Sequence, residues 1–364
     1  MFENEKIYIA GPECFYKNGQ ALLAAMRRRA ESLGFGVTLP NDHPLDMENP
    51  DLQKRADSIF ADLKKIMKET TVIIADLEAY RGSEADSGTI YEIGMAYADG
   101  LRCYGYTRDK RALAWKDQKY RLKDGVILDE AGKKAPYPEL PFSPAVVGST
   151  KIIEGGFDDC LAMLMNDLEE AWVRNGRGEQ ISSRPEMQPK TEKRQGRPRI
   201  YLADLVRYDA DAEKRYQQMK EICDALGLEA VTPLDCAEGI NGLNHPNPYV
   251  RAGALTENYR RLIEGCDAVI ADLNNYRGYE CANDIAFECG VGFEQGKVLF
   301  GYMQDDRACI EKIPHLGAET GFRDMAGCNV ENFNYPINLM FGSSMTIWQG
   351  DFAQSIQKAA KQLS

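Results

Sequence analysis

The sequence predicts an α/β chain built from two tandem domains, each a parallel sheet flanked by helices. Two observations predict it. The first is an internal repeat: "KIYIA" at 6–10 returns as "RIYLA" at 199–203, and "IADLEAYRG" at 74–82 returns as "IADLNNYRG" at 270–278, self-similarity that marks a duplicated unit. The second is alternation: in each copy, apolar runs of strand length are separated by segments of helical period, the pattern of a parallel sheet with crossover helices. The length agrees, because 364 residues exceed what one hydrophobic core usually organises.

The elements follow in the same order in both copies. Each opens with the short apolar strand just quoted. A helix-period segment comes next, "NGQALLAAMRRRAESLG" or "AEKRYQQMKEICDALG", ending in the glycine that commonly stops a helix. A second strand and a polar helix precede the buried-strand runs "TVIIADL" and "AVIADL". A loop, a further helix and a last strand, "RCYGYT" or "KVLFGYM", complete the shared pattern. Between the copies, "RNGRGEQISSRPEMQPKTEKRQGRPR" at 174–199 is rich in Gly, Pro, Ser and charge and nearly devoid of large apolar residues, as flexible linkers are. The division is therefore 1–173, a linker at 174–198, and 199–364. Residues 108–140 form a polar insertion in the first copy, either a lid or a solvated loop.

Composition excludes several function classes. A formal charge of −12 gives no electrostatic footprint for a nucleic-acid polymer or an anionic membrane. The 10 cysteines are scattered without a C-x-x-C pair, which reads as core packing in a reducing compartment. His43, His245 and His315 lie far apart, so no histidine-rich metal site is expected, while magnesium held by carboxylates stays open. No run of about 18 apolar residues occurs, and the opening residues lack a secretion signal, so the expectation is a soluble cytoplasmic protein. Neither G-x-x-x-x-G-K-[ST] nor a G-x-G-x-x-G after the first strand is present, which disfavours an ATPase or a dinucleotide enzyme.

Sheets of this kind bind ligands at the carboxyl ends of their strands, so the loops after the strands carry the functional signal. In "AGPECF" at 10–15, Gly11 lets backbone approach a ligand, Pro12 stiffens the turn, and Tyr8 can send its phenol into a site or into the core. In "DSGTIYEIG" at 86–94, Asp86 is a good helix N-cap and Glu92 falls near the first turn, where the helix dipole should keep it ionised. Two carboxylates near one ligand suit displacement at an acetal carbon, one attacking and the other managing a proton. Asp62, in "FADLKKI", is a third acid at a helical position. Taken singly, each feature also fits a plain turn, cap or solvated face.

Together, "IYIAGPECF", "ADLKKI", "VIIADL" and "DSGTIYEIGMAYADG", in that order and with Asp-x5-Glu spacing, resemble the nucleoside 2-deoxyribosyltransferase family. The resemblance implies a Rossmann-like (flavodoxin-like) fold and exchange of the base of a 2-deoxynucleoside without a cofactor. It implies that Glu92 is the nucleophile, that Asp62 and Asp86 contact the base and assist its protonation, and that Tyr8 orients Glu92. Gly11, Pro12 and Phe15 count among the substrate-binding residues, and Asp42 and His43 in "LPNDHP" resemble the base-side loop.

In that family a neighbouring subunit completes the site with an asparagine and a methionine from a P-x-N-L-M segment. Here that segment is "YPINLMFG" in the second copy, giving Asn338 and Met340, whereas the first copy has Ser143 and Ala145 in their places. Conversely, Asn258 replaces Asp62 and Ala282 replaces Asp86 in the second copy. The resemblance therefore implies an intrachain pseudo-dimer with one working site and a dead counterpart at Glu288. The implied ligands are purine and possibly pyrimidine deoxynucleosides and free bases, with further homo-oligomerisation open. The alternatives are a hydrolase of (deoxy)nucleosides or nucleoside monophosphates, and a nucleoside-sensing module without turnover.

Overall fold

A computed structural model describes residues 2–40, 42–43, 45–116, 120–129, 135, 137–174 and 196–364. The first half runs β1 (Lys6–Ala10), α1 (Gly19–Ser32), β2 (Gly36–Thr38), α2 (Leu52–Glu69), β3 (Val72–Asp76), α3 (Ser87–Ala98), β4 (Arg102–Thr107), α4 (Leu113–Lys116), β5 (Arg121–Lys123), β6 (Val126–Leu128), α5 (Pro144–Ser149), β7 (Lys151–Glu154) and α6 (Phe157–Arg174). The second half repeats it as β8 (Arg199–Ala203), α7 (Ala212–Ala225), β9 (Glu229–Val231), α8 (Pro248–Glu264), β10 (Ala268–Asp272), α9 (Asn283–Glu294), β11 (Val298–Met303), α10 (Cys309–Lys312), α11 (Leu339–Gly342), β12 (Thr346–Gln349) and α12 (Phe352–Leu363). Helix α6 ends at Arg174, the first residue assigned to the linker, and linker residues 175–195 lie outside the described residues.

Each half carries a five-stranded sheet, in the orders β2-β1-β3-β4-β7 and β9-β8-β10-β11-β12, with every neighbouring pair parallel. The sequence expectation of two α/β domains with parallel sheets is met. The central strands β3 and β10 are buried throughout, which is why they read as continuous apolar runs rather than alternating ones. Strand order reverses between β1 and β3, and the crevice above such a switch point is where open sheets of this class take ligands. Within the 108–140 segment, β5 and β6 pair as an exposed antiparallel hairpin, an element not foreseen from its polar composition. Among the described residues no helix is long and apolar enough to cross a membrane.

The halves meet through α3 and α9. Gly94 and Gly290 sit at this crossing, where a Cβ on either would run into the carbonyl oxygen of Phe287 or Tyr91. Small residues there let the backbones touch, and one apolar core continues across the junction through Tyr91, Ile93, Ile285, Phe287 and Val291. Each fully buried side chain of this size contributes about 1.5–3 kcal/mol. The short helices swap sides: α5 packs on α8 of the other half, and α11 packs on α2. That exchange delivers the second half's Asn338 to the first half's acids.

Candidate active site

A cavity of about 430 Å³, within the range usual for small-molecule sites, opens at the carboxyl ends of β1 and β3. Both halves wall it: Tyr8, Phe15, Asp86 and Glu92 come from the first, and Glu331, Asn338 and Met340 from the second. Tyr8 and Glu92 are the anchor pair. Tyr8 is fully buried and its phenol donates a 2.8 Å hydrogen bond to Oε1 of Glu92. Burial holds the Tyr8 hydroxyl well above its ordinary pKa, so it remains a donor.

Glu92 departs from the expectation that the helix dipole keeps it ionised. It is the sixth residue of α3, a turn beyond the free N–H groups where the dipole acts, and its burial raises the carboxyl to about 8, with the Tyr8 bond opposing and Asp86 reinforcing the shift. Desolvation outweighs the dipole here. Asp86 is the N-cap of that helix, its Oδ2 accepting from the backbone N–H of Thr89 at 2.8 Å and from the Thr89 hydroxyl at 2.6 Å. Its other oxygen, Oδ1, is buried without a hydrogen-bond partner, and burial likewise raises this carboxyl. A cap residue thus offers one committed oxygen and one free oxygen at the cavity.

Asn338 is the N-cap of α11, accepting from Met340 N–H at 2.9 Å. It sits directly against Gly88, where a Cβ would lie 2.5 Å from its Nδ2. Glycine at 88 is therefore what lets the asparagine reach the first half's helix start, with Met340 beside it at the cavity wall.

Other expected residues are placed elsewhere. Asp62 is buried on α2 but its helix neighbours Ile59 and Leu63 line the cavity instead, while its Oδ1 faces Nδ1 of His43 at 2.5 Å. Asp42 pairs with Arg27 and accepts from Leu39 N–H at 2.9 Å. The second half repeats this arrangement, with Asp235 paired to Lys220 and accepting from Thr232 N–H at 2.7 Å. The same device thus holds the turn after the second strand in both halves. The same loop does reach the cavity, through Pro40, Leu45 and Met47. Gly11 and Phe15 line the cavity, whereas Pro12 is buried at the start of a one-turn 3-10 helix.

Sequence reasoning missed Glu331. This residue lines the cavity, accepts from Leu339 N–H at 3.2 Å, and is raised to about 8 chiefly by burial. Its only signal in the sequence is an acid in "NVENFNYPINLM", seven residues before Asn338. Among the described residues no lysine or arginine lines the cavity, and no cluster of three His, Cys, Asp or Glu side chains could hold a metal ion.

The family model described as nucleoside 2-deoxyribosyltransferase matches this chain twice, over residues 7–136 and 200–340. The chain belongs to the nucleoside 2-deoxyribosyltransferase family. A curated Schizosaccharomyces pombe protein described as uncharacterized is 30% identical over 118 residues, which are 32% of this chain and 54% of that protein; the match spans about half of that relative's length. Among solved structures, a 2-desoxiribosyltransferase from Leishmania mexicana is 25% identical, with 45% of this chain and 97% of that chain covered and a TM-score of 0.35.

The second family match has its own version of the anchor pair, built differently. Tyr201 donates to Oε1 of Glu288 at 2.7 Å, as Tyr8 does to Glu92. However, Arg207 stands where the first half has Cys14 and grips Glu288 with two bonds of 2.7 and 2.6 Å. Both side chains of this pair are buried, 2% and 0% exposed, so the cation is spent on the glutamate. Asp284, at the position of Gly88, accepts from Ala145 N–H at 3.0 Å and from the Tyr208 hydroxyl at 2.9 Å. It thereby accepts from the start of α5 the bond that, at the start of α11, Asn338 accepts from Met340 N–H. Asn258, at the position of Asp62, is bonded to Ala237 N–H and to the Asp235 carbonyl, both at 2.8 Å.

Proposed function

We propose that the chain exchanges the base of a 2-deoxynucleoside at one site, through a deoxyribosyl ester on Glu92. The observation that carries this reading is the contrast between Glu92, which faces a cavity and among the described residues has only a tyrosine as hydrogen-bond partner, and Glu288, which is clamped by Arg207. In the first step the Glu92 carboxylate attacks C1′ through an oxocarbenium-like transition state, and the C1′–N bond breaks with its electron pair leaving on the base. The departing ring nitrogen takes a proton from Asp86, whose unpaired Oδ1 points to that role. In the second step an incoming base returns its proton to Asp86 and attacks C1′, releasing the Glu92 carboxylate. Two displacements retain configuration.

The chemistry needs one acid protonated and the other ionised. Burial raises both carboxyls, and hydrogen bonds to the ionised forms, from Tyr8 to Glu92 and from Thr89 to Asp86, oppose the rise; attack on C1′ requires the ionised form at Glu92, which leaves the proton-donor role to Asp86. The acids Asp86, Glu92 and Glu331 on the cavity wall, with no lysine or arginine beside them among the described residues, favour a nucleoside over a nucleoside monophosphate, whose dianion would meet several acids. The test is product chromatography after mixing the protein with deoxyinosine, with and without adenine, beside Glu92→Ala. Deoxyadenosine formed only with adenine, and lost in the variant, supports exchange. Hypoxanthine and free deoxyribose regardless of adenine would replace it with hydrolysis, and no product across a panel of deoxynucleosides would leave a binding module.

A further inference from the structure

We infer that Glu331 is a sugar-binding residue, its Oε2 hydrogen-bonding a hydroxyl of the bound deoxyribose. The inference rests on the nucleoside reading above and adds a residue to it. Glu331 belongs to the second half but faces the first half's acids across the cavity. Its segment is fixed at one end by the first half: Arg81 donates to the Asn329 carbonyl at 2.6 Å, and Asn329 N–H bonds to the Phe15 carbonyl at 2.8 Å. At the other end, Glu331 Oε1 accepts from Leu339 N–H, in the turn that presents Asn338. The carboxyl is thus held by one oxygen, in a side chain only 8% exposed, and that remaining surface is cavity wall.

Its second oxygen has no hydrogen-bond partner among the described residues. That oxygen keeps its hydrogen-bonding capacity free at the cavity wall, and a 2-deoxynucleoside brings two sugar hydroxyls able to donate or accept. The burial that keeps a proton on this carboxyl leaves it a hydrogen-bonding group in either state. The duplication agrees: counting back from Ser143 as from Asn338, the first copy has Pro136 in place of Glu331. The acid therefore exists only on the copy that faces the open cavity.

The test is calorimetric binding in the Glu92→Ala background, where no ester can form. The ligands are deoxyinosine, its 5′-deoxy analogue and its 3′-deoxy analogue, each measured with Glu331, with Glu331→Gln and with Glu331→Ala. With Glu331 present, removing the contacted hydroxyl should cost about tenfold in affinity. That penalty should vanish in Glu331→Ala and return in Glu331→Gln, and the analogue that shows it identifies the hydroxyl. If Glu331→Ala weakens all three ligands by a common factor, Glu331 only caps the α11 turn and the inference falls. If the pattern holds but the Glu92 form exchanges no base, the transferase reading falls and Glu331 stands as a sugar contact. If no nucleoside binds, both fall.

Discussion

Glu92 and Glu288 occupy one position in two copies of one helix, each bonded to a tyrosine from the first strand of its half, yet they have opposite surroundings. Around Glu92 the loop residue is Cys14, the helix opens with Asp86 and Gly88, and the other half supplies Asn338. Around Glu288 the loop residue is Arg207, the helix opens with Ala282 and Asp284, and the other half supplies Ser143. The difference teaches how two copies of one glutamate come to differ. A buried glutamate carries a desolvation cost, and a buried arginine with bidentate geometry offsets it at Glu288. Burial raises both carboxyls, but the glutamate that faces the cavity has no cation partner among the described residues, so it retains the space that chemistry would use.

The comparison breaks most visibly at the two glutamates. Glu92→Ala should lower base exchange on the order of 10³-fold or more, while Glu288→Ala leaves the rate unchanged. A 2-fluoro-2-deoxynucleoside should add one sugar per chain, at Glu92; mass spectrometry finding a second adduct, or one at Glu288, would refute the single-site picture. The next effect is on stability. Glu288→Ala strands the Arg207 guanidinium in the interior and should cost about 3–5 kcal/mol in urea unfolding, with part recovered when Arg207→Ala is added. Equal costs for the single and double variants would mean that the ion pair is not what occupies the second site.

Smaller effects sharpen the contrast. Gly88→Ala places a methyl 2.5 Å from Nδ2 of Asn338, and displacing that side chain should slow exchange by about 10²-fold with little change in melting temperature. An undiminished rate would show that Asn338 does not have to stand there. Finally, pH probes the acids of the cavity. Glu92 and Glu331 have an ordinary value of 4.5 and are raised to about 8, so the folded state binds more protons than the unfolded chain between those values. Stability from these groups is present below about 4.5 and is lost as pH rises through about 8. The melting temperature should decline over that interval, and Glu92→Gln should flatten the decline. An unaltered slope would mean that Glu92 is ionised throughout, as the helix-dipole argument held.

Much of the site was legible because the copies annotate each other. Tyr8, Asp86, Glu92, Asn338 and Met340 could be read as one set split between two halves, and the structure brings all five to one cavity. Asp42 and His43 could not be placed, because a loop acid that pairs with Arg27 and one that reads a base look identical in sequence. Only its twin, Asp235 with Lys220, shows that the pairing recurs at the same turn of the other half. Arg207 was visible in "ADLVRY" against "AGPECF", but its partner lies 81 residues away.

The sequence by itself determined the duplication, the alternation that makes two parallel sheets, and the unequal distribution of acids and asparagine between the copies. These are properties of period, identity and order along the chain. Only the tertiary structure decided the raised carboxyl of Glu92, the clamping of Glu288 by Arg207, and the arrival of Glu331 at the cavity. Those depend on desolvation and on which distant groups are brought within hydrogen-bond reach, and neither quantity exists until the two halves have packed α3 against α9.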